Sequence, residues 1–309
     1  MASSNLPHRV NRRTTRAVLI TIMISACSVL TTAQVYDRKG FEDYPPLNPR
    51  ISASSWTEQG NALALNGRWE EAIEAYQKAL RMDPNTVVAR SNLGHAFTRL
   101  GQYEKAAAEF KLLIDLDPMN ALANYNLGNV YLQLNRPDDA VELLSEAIEL
   151  QPDLYAAYND LGNAYAELER YPEAIAALKL ATKINPQLAL GYSNLGVIYY
   201  ELGRFEQAKA CFVQAVTLAP AMAGAFYQLG LVHLQLKQSK AAAEALAQAI
   251  RLEPNHVKAH FELGVTYLAL KNRAGCIKQY AILRDLDPVL GAQLYSLLKA
   301  HRVRTVSSN

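Results

Sequence analysis

The sequence predicts an all-α repeat protein, and three observations carry that expectation. Prolines recur at Pro84, Pro118, Pro152, Pro186, Pro220, Pro254 and Pro288, each 34 residues after the last. A glycine stands twenty-four residues before each of them, at Gly60, Gly94, Gly128, Gly162, Gly196, Gly230 and Gly264. A small residue stands twelve before each, at Ala72, Ala106, Ala140, Ala174, Ala208, Ala242 and Cys276. The residues between these marks have the apolar rhythm of two amphipathic helices.

Each element follows from this frame. In the stretch NLGNVYLQLNRPDDAVELLSEAIELQPD, Asn126 to Asp153, the first helix holds Gly128 flanked by Asn126 and Asn129. A helix-interior glycine costs about 1 kcal/mol against alanine, so seven cost on the order of 7 kcal/mol. Close packing must offset that, so the glycines and small residues are expected where two helix axes approach. Phe97, Tyr131, Tyr165, Tyr199 and Tyr267, three residues after the glycine, fill the neighbouring space. The prolines end the second helix of each pair, because proline cannot continue it. Carboxylates such as Glu70, Glu71, Asp138 and Asp139 open second helices, where the dipole favours them.

The spacing resembles the tetratricopeptide repeat family. Its pattern falls on Trp56, Gly60, Leu63, Ala72, Tyr76, Ala79 and Pro84 in the first unit. In the third it falls on Leu127, Gly128, Tyr131, Ala140, Leu144, Ala147 and Pro152. The sixth unit departs most, with His233 and Ser239 in place of aromatics. The resemblance implies a right-handed superhelical α-solenoid of antiparallel helix pairs, in which stacking buries a core that no single repeat could hold. Seven units are expected at 53–86, 87–120, 121–154, 155–188, 189–222, 223–256 and 257–290. Residues 291–303, with Leu294, Leu297 and Leu298, read as a capping helix, and 304–309 as a tail.

Residues 53–290 contain 21 Lys and Arg against 26 Asp and Glu. The first four repeats hold 11 basic and 19 acidic residues, the last three 10 and 7. An acidic array without a basic stripe argues against nucleic acid as the ligand. Cys211 and Cys276 lie 65 residues apart, nearly two repeats, which points to free thiols rather than a disulfide.

The N-terminus is a separate segment. Arg9, Arg12, Arg13 and Arg16 precede an apolar run from Ala17 to Leu30, the form of an export signal or anchor over residues 1–33. The run is short for a membrane span, which needs about 20 residues. Ile24-Ser25-Ala26-Cys27 resembles a bacterial lipobox, with Cys27 as the lipidated residue. Conventional cleavage after Ala33, an uncleaved anchor and an organelle transit peptide are the alternatives. The first three of these four readings put the repeats at a membrane or outside the cytoplasm, in the cell envelope. Residues 34–52, with Pro45, Pro46 and Pro49, read as a linker.

Helical spacing puts repeat positions 2, 5, 6, 9, 12 and 13 of the first helix on one face. In the family that face lines a concave groove. Position 6 reads Glu58, Asn92, Asn126, Asp160, Asn194, Gln228 and Glu262. Position 9 reads Asn61, His95, Asn129, Asn163, Val197, Leu231 and Val265. The series Asn92, Asn126 and Asn194 resembles the asparagine ladder of O-linked N-acetylglucosamine transferases, which implies a grip on a peptide main chain. The other reading is that these amides bond a neighbouring helix or water. From the fifth repeat the face turns apolar and aromatic, with Tyr200, Tyr227, Leu231 and Phe261. That suits a partner helix or apolar peptide end, and equally suits tighter packing near the cap. The basic set that clamps chaperone tails is missing, since Leu122 and Asn126 stand where it needs cations.

Catalytic signatures are absent: there is no phosphate loop, nucleophile elbow, HExxH or CxxC. His256 and His260 share i, i+4 spacing, but one falls in a turn and the other at a packing position, so no metal is expected. His95 reads as a polar lining residue. The sequence thus predicts a non-catalytic interaction scaffold of the cell envelope, with a protein or peptide partner, no cofactor and no small-molecule substrate. The alternative is a recruiting subunit working with a separate enzyme such as a glycosyltransferase.

Overall fold

Every first helix ends in the same turn, and the turn explains how the pair reverses. In the first repeat Gly67 N–H donates to the Ala64 carbonyl at 3.0 Å, and Arg68 N–H to the Leu63 carbonyl at 3.0 Å. These two bonds form a Schellman motif, which needs a left-handed residue at its centre. That residue recurs every 34 positions: Gly67, Gly101 and Gly203 have φ of 74°, 70° and 71°, and Asn135, Glu169, Lys237 and Lys271 have 56°, 58°, 59° and 58°. Four repeats therefore hold a side chain where glycine fits best.

The computed structural model describes residues 52–306, with side-chain surroundings through residue 300. The N-terminal segment with Cys27, and the linker up to residue 51, lie outside them. Fifteen helices and no strand occur among the described residues. In chain order they are α1 (Ala53–Leu65), α2 (Trp69–Met82), α3 (Val87–Arg99), α4 (Tyr103–Leu116) and α5 (Ala121–Gln133). Next come α6 (Pro137–Leu150), α7 (Tyr155–Glu167), α8 (Tyr171–Ile184), α9 (Ala189–Glu201) and α10 (Phe205–Leu218). The last are α11 (Ala223–Gln235), α12 (Ser239–Leu252), α13 (Val257–Ala269), α14 (Arg273–Leu286) and α15 (Pro288–Val306). Odd-numbered helices through α13 are the first of each pair and even-numbered ones the second. None of the described helices is long and apolar enough to cross a membrane.

The chain divides into two compact units between Ile184 and Asn185. Each is an all-α repeat solenoid. In the first unit a single core runs through all four pairs, from Ala72 and Tyr76 to Ala164 and Ala177. In the second, Leu246, Ala249, Ala259 and Leu263 form one cluster, and Leu268, Cys276, Leu283, Leu294 and Leu298 another beneath the final helix. Cys211 and Cys276 are free thiols; Cys276 is fully buried, and burial pushes its thiol up.

The seven helix-interior glycines do sit at close contacts, but the group they face is more specific than a helix crossing suggests. A Cβ on Gly60, Gly94, Gly128, Gly162, Gly196 or Gly230 would meet the side chain sixteen residues later, at 2.4–2.9 Å. Those side chains are Tyr76, Phe110, Leu144, Leu178, Phe212 and Leu246, all fully buried or nearly so. The small residue contributes its backbone: at Gly162 the Ala174 carbonyl oxygen would lie 3.2 Å from the added atom.

The seventh glycine is served differently. A Cβ on Gly264 would meet Leu294 of α15 at 2.5 Å, so the terminal helix inserts the knob that a second helix supplies elsewhere. Tyr280, sixteen residues after Gly264, instead stacks on Tyr295 with ring centroids 5.1 Å apart. The helix starts at Pro288, before the expected residue 291. Asp287 accepts the N–H groups of Val289 and Leu290, both at 3.0 Å, and proline suits the first helical position. The last of the periodic prolines therefore opens a helix, where the others lie in turns.

Candidate functional site: the shared face of the first helices

The residues singled out from sequence do lie along one face within each unit, and in the first unit they bond to each other. The register is constant: position 9 of one repeat meets position 6 of the next, thirty-one residues on. Asn92 Nδ2 donates to Asn61 Oδ1 at 2.7 Å, and Tyr76 hydroxyl donates to the same oxygen at 2.9 Å. Asn126 Nδ2 lies 3.3 Å from His95 Nε2, which accepts. Asn129 Nδ2 donates to Asp160 Oδ2 at 3.1 Å.

Burial sets the chemistry of this ladder. Asp160 is 2% exposed and also accepts from Asn159 Nδ2 at 3.0 Å and from the Tyr125 hydroxyl. Desolvation raises its pKa while the three donors oppose the rise. Burial drives His95 down to about 4, so its ring is neutral at pH 7 and able to accept from Asn126. His95 packs edge-on against Phe110, with centroids 5.4 Å apart. Asn129 and Asn163 are buried as well. Asn61, Asn92 and Asn126 are half-buried. In the second unit Asn194 is 2% exposed. Asn92, Asn126 and Asn129 thus bond to the first helix of a neighbouring repeat. Polar groups packed between helices need partners; Asn61, Asn92, His95, Asn126, Asn129 and Asp160 find theirs on this face, whereas the buried Nδ2 of Asn163 has none.

The second unit presents another surface at the same register. Tyr200, Tyr227, Leu231, Phe261 and Val265 are half-buried on α9, α11 and α13. Gln235 Nε2 donates to the Tyr200 hydroxyl at 3.3 Å. Tyr227 leans on His256 with centroids 4.7 Å apart. Burial raises both phenols, and the carboxylate of Glu262 adds to the rise in each. Sequence reasoning placed Glu262 and Gln235 on this face without singling them out; their signal was the helical spacing alone.

The histidine pair is structural. His256 Nδ1 caps α13 by accepting the Ala259 N–H at 3.2 Å, and His260 joins Gln279 at 2.6 Å and the Pro254 carbonyl at 2.8 Å. Among the described residues no cluster of three or more His, Cys, Asp or Glu has metal-site geometry.

Comparison with known proteins agrees with this architecture. A family model described as "Cilia and flagella-associated protein 70 C-terminal domain", itself a tetratricopeptide model, matches residues 116–284, more than half of the chain. One described as "TPR repeat" matches residues 60–101 and 94–135. The structure described as "Crystal structure of MamA protein" is 27% identical, with TM-score 0.50, covering 56% of this chain and 94% of its own. PilF of Pseudomonas aeruginosa is 19% identical with TM-score 0.61, covering 69% and 96%. PilW, described as a widely conserved type IV pilus biogenesis factor, is 21% identical with TM-score 0.61, covering 67% and 96%. No curated protein matches the chain. The repeat register, the helix pairs and the family models together make this chain a member of the tetratricopeptide repeat family.

Proposed function

We propose that the chain is a non-catalytic interaction scaffold of the cell envelope, holding a partner peptide or helix against the first-helix face of its second unit. One observation carries the reading: Leu231 and Val265 stand half-buried at position 9, where the first unit places its polar ladder, and Tyr227 and Phe261 stand half-buried on the same face at position 5. Aromatic and aliphatic side chains at helical spacing, with polar tips at their edge, suit an apolar partner segment. In the first unit Asn92, Asn126 and Asn129 bond to Asn61, His95 and Asp160 of neighbouring repeats, so they act there as internal struts. The envelope part rests on the sequence of residues 1–33, with Cys27 as the proposed tether.

Two experiments test this. Leu231→Arg in the full chain should abolish co-purification of the partner while leaving the circular dichroism unchanged. An unaltered set of co-purifying proteins would remove the face from consideration. For the tether, intact mass and membrane partition of the mature protein should give a lipidated N-terminus at Cys27. A free N-terminus at Gln34 would replace lipidation with conventional cleavage.

A further inference from the structure

The outer faces of α6 and α8 carry opposite charge at the same register. Both helices pack against α7 and run opposite to it, so they run in the same direction as each other. Their buried stripes match: Ala140, Leu144 and Ala147 on α6 recur as Ala174, Leu178 and Ala181 on α8. The side chains opposite those stripes therefore point the same way, into solvent. On α6 they are Glu142, Glu146 and Glu149, all exposed, and that helix holds no Lys or Arg. On α8 they are Lys179, Leu180, Lys183 and Ile184, also exposed, with the two apolar side chains set between and beside the lysines. Leu180 is 43% and Ile184 37% exposed.

These charges are left over when the unit's own contacts are made. The other Lys and Arg of residues 53–184, Arg81 excepted, each meet a carboxylate or an aromatic ring. Lys179 and Lys183 meet neither among the described residues, and Glu142, Glu146 and Glu149 have no ion-pair partner among them. A basic partner would suit α6 and be repelled by α8; an anionic surface would suit α8 and be repelled by α6. A surface that offers both signs side by side, with apolar area between, is complementary to itself.

We propose that this face is an isologous contact between two copies of the chain, α6 of each meeting α8 of the other about a two-fold axis parallel to the helices. That axis keeps the facing helices parallel. Lys183 then stands at the height of Glu149 of the other copy, at the same repeat position, and Lys179 within one position of Glu146. A two-fold axis across the helices would instead set α6 on α6 and α8 on α8, like charge on like. Leu180 and Ile184 leave water in the same contact.

Sedimentation equilibrium of the full chain tests this with two charge-reversed variants. The parent should show a concentration-dependent dimer that weakens as salt rises. Lys179→Glu with Lys183→Glu sets glutamate against glutamate, and Glu146→Lys with Glu149→Lys sets lysine against lysine. Each variant alone should dimerise about tenfold or more weakly. Circular dichroism should be unchanged, because all four side chains are exposed. Mixed together, the two variants should form a heterodimer of parental strength, since the reversed α8 of one meets the reversed α6 of the other. The N-terminal segment is common to all these chains and cancels in the comparison. A parent that stays monomeric overturns the proposal, as does a dimer that both variants form as strongly as the parent. Two weakened variants whose mixture stays weak overturn it as well, because the charges then act on something other than a second copy.

Discussion

The two units share a backbone plan and differ in what lies between their first helices. In the first, position 9 meets position 6 through Asn61 with Asn92, His95 with Asn126, and Asn129 with Asp160. In the second, the residues at those positions are Val197 with Gln228 and Leu231 with Glu262. The same glycine and the same turn serve both, and in every repeat but the last the knob comes from sixteen residues later. The scaffold therefore fixes where a side chain stands, and the residue type decides whether that place is a strut or a docking surface. Hydrogen bonds between repeats contribute a net of about 0.5–1.5 kcal/mol each. Apolar side chains at the same register leave area that another chain can cover.

The largest expected effect tests what the units share. Gly162→Leu drives a side chain into Leu178, whose Cγ would lie 2.5 Å from the added Cβ, and should cost about 3 kcal/mol or more. Gly230→Leu, against Leu246, should cost a similar amount in the second unit. Chemical denaturation measures both. An unchanged midpoint for either would mean that its knob yields, and that the packing rule holds in only one unit.

The next prediction separates the units. Asn129→Leu, which gives the first unit the second unit's residue type, removes a donor from buried Asp160 and should cost about 1–3 kcal/mol. The reciprocal Leu231→Asn places an amide beside half-buried Glu262 and should change stability by less than about 1 kcal/mol. Equal losses in the two variants would erase the distinction between strut and surface.

A smaller effect lies in the turns. Lys237→Gly relieves a side chain held at φ of 59° and should stabilise the second unit by about 1 kcal/mol. Glu169→Gly, at 58°, should do the same in the first. Gly203→Ala should lose a comparable amount. Thermal unfolding reads all three, and a destabilised Lys237→Gly would show that the lysine side chain contributes more than its backbone costs.

The last prediction concerns pH in the first unit. Burial raises Glu167 from 4.5 to about 7, so the folded state holds this proton more tightly than the unfolded chain. Its stabilising contribution is complete below pH 4.5 and is lost as pH rises through about 7. Glu167→Gln should remove that slope, making the variant more stable than the parent above pH 7. Denaturation between pH 5 and pH 8 tests it, with exposed Glu201→Gln as the control. Parallel pH profiles for parent and Glu167→Gln would show that the carboxyl titrates alike in both states.

Much of the fold is legible in the sequence because its marks are one-dimensional. A proline that stops a helix and a glycine that admits a neighbour act at fixed offsets, so a 34-residue period reports them directly. The turn was less legible. Gly67, Gly101 and Gly203 share a register with Asn135, Glu169, Lys237 and Lys271, and only the left-handed φ unites them. The candidate face was legible as a face, since helical spacing selects positions 6 and 9. Its internal pairing was not, because Asn92 meets Asn61 across thirty-one residues, a distance that no local pattern encodes.

The sequence by itself determined the repeat length, the helix pairs, the placing of glycines at close contacts and the change from amide to apolar residues along the face. Tertiary structure decided which groups those residues meet. It set the Leu178 side chain and the Ala174 carbonyl against Gly162, and Leu294 of the terminal helix against Gly264. It also buried Asp160 among three donors while Glu262, at the same repeat position three repeats later, is half-buried. The reason is physical: periodicity follows from backbone geometry, which each residue carries with it, whereas burial and hydrogen bonding depend on side chains brought together from separate repeats.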